Sequence, residues 1–403
     1  MASTLGSYDP FAPAVVANPY PYYARMRESE RAPLLEPFGM HLITRYGDVA
    51  AILRNHELFS SDERKASQVR QRRRTSTGAT VLNSDPPDHT RLRALVTRRF
   101  SARTATASWE DEIRQIVDRL VDDAAKKDVI DIIHEIAVPL PVMVIAKAIG
   151  IPAADYERFK QWSDNEVANN GPQTPPEEME RLQQSSEELH GYFVEAIRRA
   201  RDEANDGRDD LIATLTSARD ASDSLSETEL VEFLVLLLLA GNETTTNLIG
   251  NGMLALARNP AQQRRLREHP ELLGSAVEEL VRFDGPVQST RRILTGPATV
   301  HGIQLARGDS VAVVLAGANR DPAFFADPDA LDVARTDRGH VGFGHGLHFC
   351  LGAPLARLEA KHAFRALLER LPQLALAVPD ESLAYTTSFF LRGLKALPVR
   401  RAC

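Results

Sequence analysis

The stretch Phe233 to Ala240 is apolar at every position, and it sits inside a longer helical pattern running from Ser226 to Arg258. A helix that is apolar on all sides belongs in a core. Ser226 with Glu229 three residues on predicts a capping box at its start. Ile136 to Ile149 is also apolar on most sides and predicts a second buried helix, its start perturbed by Pro139 and Pro141. Amphipathic helices are expected at Trp109 to Asp123, Ala153 to Ala168, Glu177 to Asn205 and Ala353 to Leu371. Shorter ones are expected ending near Arg27 and over Tyr46 to Asn55. Asp85-Pro86-Pro87 predicts a further helix start, because proline fits a first turn. Strand-like runs occur at 33–37 and 40–45 around Gly39, at 287–294, at 299–305 as a hairpin, and at 309–315, 374–378 and 394–399. Val129 to Ile133 reads as a short strand or as the start of the next helix. Asn169 to Pro176 is rich in Pro, Asn and Gly and reads as a connector.

Composition narrows the classes. The chain has 403 residues, a net charge of −7 and two cysteines, Cys350 and the terminal Cys403. That charge argues against a general nucleic-acid-binding protein. Two cysteines make no disulfide framework and point to a reducing compartment. Residues 1–17 lack the basic and apolar regions of a secretory leader, and the longest apolar run is far too short to span a bilayer. A cytoplasmic protein with no membrane partner is therefore expected. One internal cysteine among scattered histidines gives no zinc-ligand spacing.

The chemistry gathers in three places. The first is Phe343-Gly344-His345-Gly346-Leu347-His348-Phe349-Cys350-Leu351-Gly352, a glycine-punctuated loop leading into a helix. A thiolate is a strong, soft iron ligand, and a helix N-terminus helps keep it deprotonated. The glycines let backbone N–H groups approach the sulfur, and Phe343 would shield it. The second is Ala240-Gly241-Asn242-Glu243-Thr244-Thr245-Thr246, where polar residues interrupt the core helix. Such a broken local rule in a core often marks function. The third is Glu279 and Arg282, three apart on a helix and able to pair.

The spacing Phe-x-x-Gly-x-x-x-Cys-x-Gly resembles the haem-thiolate signature of the cytochrome P-450 superfamily. Ala-Gly-x-Glu-Thr-Thr resembles its oxygen-activation motif, and Glu-x-x-Arg its structural ion pair, whose third member would lie in 332–335. The resemblance covers about Asn18 to Arg400. It implies a mainly α fold with a smaller β-rich part, a triangular helical prism around haem. It also implies one domain over 1–403, with the β-rich part at about 30–60 and 285–315 and the helical core at about 86–284 and 351–371. Cys350 would ligate the iron of haem b, with Ala240, Gly241, Phe343, Gly344 and Gly352 against the cofactor. His89, Arg93, Arg292 and His348 would hold its propionates. Glu243 and Thr244 would deliver protons on the oxygen side, and Glu279 with Arg282 would be structural. Val287, Phe389 and Phe390 would line the substrate pocket.

The implied activity is insertion of one oxygen atom from dioxygen into an organic substrate, with electrons from a ferredoxin and its reductase, in secondary metabolism. Arg70, Arg72, Arg73 and Arg74 lie in a polar stretch that would suit an anionic or carrier-protein-tethered substrate. Arg98 and Arg99 could face the electron-transfer partner. A non-catalytic haem sensor and a peroxide-driven enzyme of the same fold are the alternatives. The Glu243-Thr244 pair disfavours both, since a sensor needs no proton relay and peroxide-driven enzymes of this fold usually lack the acid–threonine pair.

Overall fold

The computed structural model describes residues 8–66, 80–97, 100–169, 176–202, 210–217, 225–371 and 373–401. The arginines at 70–74, Arg98, Arg99 and Cys403 lie outside those residues.

The helices that carry the architecture are α1 (Tyr20–Glu28), α2 (Tyr46–Arg54), α3 (Asp88–Thr97), α4 (Ala102–Ala124) and α5 (Pro139–Ile149). They continue with α6 (Tyr156–Asn169), α7 (Pro176–Asp202), α8 (Glu227–Arg258), α9 (Leu273–Asp284) and α10 (Ala353–Arg370). Helix α8 passes through the middle and packs on α5, α6, α7, α9 and α10. Its capping box forms: Glu229 N–H donates to Ser226 Oγ, and Ser226 N–H donates to Glu229 Oε2. Phe233, Leu234, Leu237 and Leu238 are buried. Each gains about 1.5–3 kcal/mol from burial, against a helix penalty of about 1 kcal/mol or less for Gly241 and for each threonine. The apolar run therefore holds the helix through its polar break. By length and composition α8 could cross a membrane, but 67% of its apolar window is buried inside the protein.

Strands β1 (Leu34–Leu35), β2 (Met40–Ile43), β3 (Phe59–Ser60), β4 (Val129–Asp131), β5 (Thr290–Leu294), β6 (Ala298–Val300), β7 (Ile303–Leu305), β8 (Ser310–Val313), β9 (Leu374–Leu376) and β10 (Pro398–Arg401) form the smaller part. A five-stranded sheet has the order β1-β2-β8-β5-β3, with β2 and β8 parallel and the other pairs antiparallel. β4, β10 and β9 make a second sheet, and β6 pairs with β7 as a hairpin.

Several boundaries differ from the sequence expectation. Ile133–Ala137 forms a π-type turn, and the α-helix starts again at Pro139, which has no N–H to give the preceding turn. Pro86 and Pro87 lie ahead of α3, which begins at Asp88. The expected strand at 287–294 is regular only from Thr290, while Val287 makes an isolated bridge with Leu391. The last strand starts at Pro398, not at residue 394.

Candidate haem site

The cysteine loop is held from several sides. Gly344 and Gly346 adopt φ of 74° and 69°, where a side chain is strained. A Cβ on Gly346 would also stand 2.7 Å from the Leu53 carbonyl oxygen of α2. Cys350 N–H donates to Phe343 C=O at 2.8 Å and closes the loop. Gly352 differs from its loop neighbours: its φ is −81° and a Cβ there would meet open space. Its part is played by its amide. Burial pushes the Cys350 thiol up, while the N–H groups of Gly352 and Ala353 at the start of α10, with Arg93 and Arg357, favour the thiolate.

Around this cysteine stand buried nitrogens with few or no partners among the described residues. His89 on α3 is fully buried and neither ring nitrogen has a partner. Its ring lies 4.4 Å from that of His348. His348 Nδ1 meets the Val81 carbonyl at 3.2 Å, so it carries the proton, and Nε2 has no partner. Burial pushes His89 down to about 4 and His348 down to about 3. Arg292 on β5 is buried, and its Nη1 donates only to Thr290 Oγ1 at 3.0 Å and Arg291 C=O at 2.7 Å. Burial pulls its guanidinium down to about 10, with Asp85 opposing. Arg291, next along the strand, points away to Ser310 Oγ. Arg93 Nη2 donates to the Phe349 carbonyl at 2.6 Å and so ties α3 to the cysteine loop. Unpartnered ring nitrogens of His89 and His348 and the buried Arg292 guanidinium fit a group that brings both a metal and carboxylates, whose negative charge would favour a proton on His348 Nε2 and let it donate.

In α8 the polar break divides by face. Asn242 Nδ2 donates to Ser163 Oγ of α6 at 2.7 Å, and Thr246 Oγ1 donates to Ala137 C=O at 2.8 Å. These residues join neighbouring elements. Ala240 is exposed although it lies in the middle of a core helix, and Gly241, Glu243 and Thr244 are half-buried. Thr244 Oγ1 donates to Ala240 C=O at 2.7 Å, so its oxygen can still accept. Burial pushes the Glu243 carboxyl up to about 7. The helix stays unbroken at Gly241, where a Cβ would touch Ile145 at an ordinary 3.5 Å.

Glu279 and Arg282 form a buried fork-to-fork pair, both bonds 2.7 Å, and Arg335 adds a second cation at 3.1 Å. Phe389 is buried among Tyr23, Met26 and Leu35 and stacks on Phe38 at 5.8 Å, so its ring is used in packing against α1. Phe390 meets it edge-on at 5.1 Å. Val287 packs against the core of the five-stranded sheet. The sequence left His345 without a role; it accepts from Arg54 Nε at 2.7 Å. It also missed Arg357, whose guanidinium lies 4.4 Å above the Phe343 ring. The available signal was its place on the second turn of the helix that follows the cysteine.

The family model described as Cytochrome P-450 matches residues 35–376. The cytochrome P-450 monooxygenase PikC of Streptomyces venezuelae is 40% identical over 390 residues, covering 95% of this chain and 91% of its own. The solved structure of the bacillaene polyketide synthase cytochrome P-450 PksS of Bacillus subtilis aligns with a TM-score of 0.90. It is 36% identical and covers 98% of this chain and all (100%) of its own. The structure of cytochrome P-450 BioI in complex with an acyl carrier protein aligns with a TM-score of 0.87. It is 33% identical, over 96% of this chain and 100% of its own. The chain belongs to the cytochrome P-450 family, oxidoreductases that bind haem b through a cysteine thiolate and act as monooxygenases.

Proposed function

We propose that this monooxygenase oxidises a secondary metabolite of polyketide type in the cytoplasm, with electrons from a ferredoxin and its reductase. The observation that carries the site assignment is the cluster of unpartnered histidine nitrogens and the buried Arg292 guanidinium near the cysteine loop. In this reading Cys350 would hold the haem iron through its thiolate, and His89, Arg292 and His348 would meet the haem propionates. Arg93 holds the loop carbonyl beside the cysteine and adds positive charge there. Haem bound at this place supplies the electron storage and oxygen activation that side chains lack. The protein's own part is to hold and to protonate. A carboxyl that titrates near 7 can both take and give a proton at working pH, which suits Glu243 to a relay. Thr244 Oγ1 is placed one residue on to accept or pass that proton.

The substrate class rests on relatives: PikC and PksS each match 95% of this chain in sequence, and PksS is named for polyketide biosynthesis. A carrier-tethered substrate is a second reading, favoured by the acyl-carrier-protein complex of the BioI neighbour. The basic stretch 70–74 would suit such a carrier.

The test is a visible-spectrum titration of purified haem-loaded protein with polyketide-type acids, free and tethered to a carrier protein. A low-to-high spin shift supports the class. A shift with tethered acids alone selects the second reading. Haem-loaded protein that never shifts with either form, and gives no product with a ferredoxin system, refutes the substrate proposal.

A further inference from the structure

Two adjacent glutamates of α9 face two different segments. Glu279 turns to the stretch before the cysteine loop, where Asp332 N–H and Arg335 meet it. Glu278 turns to the two residues that flank that loop, His340 before it and Arg357 after it. Arg357 of α10 donates to it through Nε at 2.6 Å and Nη2 at 2.9 Å. His340 Nε2 stands 3.1 Å from its Oε2. Gly342 N–H donates to His340 Nδ1 at 3.2 Å, so the imidazole proton sits on Nε2 and is donated to Glu278. Arg357 in turn covers the Phe343 ring at 4.4 Å, and the Phe343 carbonyl accepts the Cys350 amide. The contacts close on themselves, running from Glu278 to Arg357 to Phe343, along the backbone to Gly342, and through His340 back to Glu278.

Building on the haem-thiolate reading, we infer that Glu278, Arg357 and His340 are positioning residues that hold the cysteine loop against α9 and set the charge beside its sulfur. A half-exposed Arg–Glu pair is worth little as a bridge. This one differs in geometry. The fork is bidentate, the cation lies over an aromatic face and the same carboxylate is shared with a histidine. Burial alone would raise the Glu278 carboxyl, but the bonds from His340 and Arg357 together bring it down to about 2, so it stays ionised. The two ends of the ring do different things. His340 fixes the backbone just before Phe343. Arg357 fixes the Phe343 ring and places a positive charge on the sulfur side, where it favours any added negative charge.

The test uses the haem-loaded enzyme and four variants, and reads the ferric/ferrous midpoint potential and the carbon monoxide complex, whose Soret position distinguishes thiolate from thiol ligation. R357Q should lower the potential so that the ferrous-to-ferric ratio at a fixed potential falls about threefold to tenfold, tenfold being about 59 mV for one electron. E278Q, which leaves Arg357 without its counter-charge, should move it the other way. R357K keeps the charge but loses the fork and the stack, so its potential should return towards that of the unmutated enzyme. On warming, its thiolate-ligated fraction should be lost several-fold faster. H340A should show the same faster loss with little change in potential. The inference is overturned if R357Q and E278Q keep the potential of the unmutated enzyme, or if R357K and H340A lose thiolate ligation no faster than it does. An unmutated enzyme without a thiolate-ligated spectrum would overturn the haem reading as well, which separates the two failures.

Discussion

Replacing Glu279 with glutamine is the sharpest test of what holds the segment before the cysteine loop. The side chains of Glu279 and Arg282 are each 1% exposed, and that of Arg335 is 9% exposed. Glu279 therefore neutralises two nearly dry guanidiniums at once. It also accepts the Asp332 N–H at 3.0 Å. Arg282 reaches on to the carbonyls of Asn319 at 3.0 Å, Pro328 at 2.7 Å and Ala330 at 3.1 Å. Three stretches of chain thus converge on one ion pair. Removing one partner of such a pair costs about 3–5 kcal/mol, because the other charge stays buried without compensation. E279Q is expected at that level. In a chain of this length that means a fall in Tm of about 4–6 °C. The assay is thermal unfolding at a fixed scan rate, with haem content measured so that cofactor loss is not read as unfolding. The double variant E279Q/R282M removes the orphaned charge as well and leaves Arg335 its contact with Asp337 at 3.4 Å. Because R282M also takes the donor from the carbonyls of Asn319, Pro328 and Ala330, the double variant should still be destabilised, but by clearly less than the sum of the two single variants, a coupling that distant sites would not show. A fall of less than about 1 kcal/mol for E279Q, or plain additivity in the double variant, would refute the argument from burial.

Three further outcomes are expected. Thr244→Ala should uncouple electron use from product formation while leaving haem content unchanged, measured as product formed per reduced nicotinamide consumed. Glu243 has its carboxyl raised by burial, so the folded state binds its proton more tightly. That contribution to stability is full below the ordinary carboxylate range and is lost as pH rises through about 7. The unmutated protein should therefore lose stability relative to E243Q between about pH 5 and 8, followed as the difference in Tm. A Cβ at Gly393 would stand 1.8 Å from Asn247 Oδ1, a buried side chain of α8. Gly393→Ala should therefore cost about 1–3 kcal/mol by overpacking, checked by the urea midpoint.

How much of this could be read beforehand depended on whether a contact is local in the chain. Helix α8 was legible down to its capping box, because Ser226, Glu229 and the apolar run that follows are a contiguous pattern. The Glu279–Arg282 pair was legible because three residues on a helix fix which side chains meet. Arg291 and Arg292 face opposite ways because strand neighbours alternate. Boundaries failed where a proline or an isolated bridge, not hydrophobic rhythm, decided them, as at Pro139 and Val287. Phe389 was open to misreading for a related reason. Its apolar ring suits a pocket or a core equally well, and Phe38, some 350 positions earlier by number, meets it.

Glu278 shows the limit most clearly. Helical spacing puts it on a different face from Glu279, but nothing in that spacing says which segment arrives at each face. His340 and Arg357 reach Glu278 from either side of the cysteine. Their meeting depends on the loop already being folded back, with Cys350 N–H on Phe343 C=O. The loop closure brings the two donors to one carboxylate, and the carboxylate in turn holds the closed loop. This mutual dependence is why no spacing in the linear sequence showed that the two would meet at one carboxylate. It is also why breaking either contact should loosen the same loop.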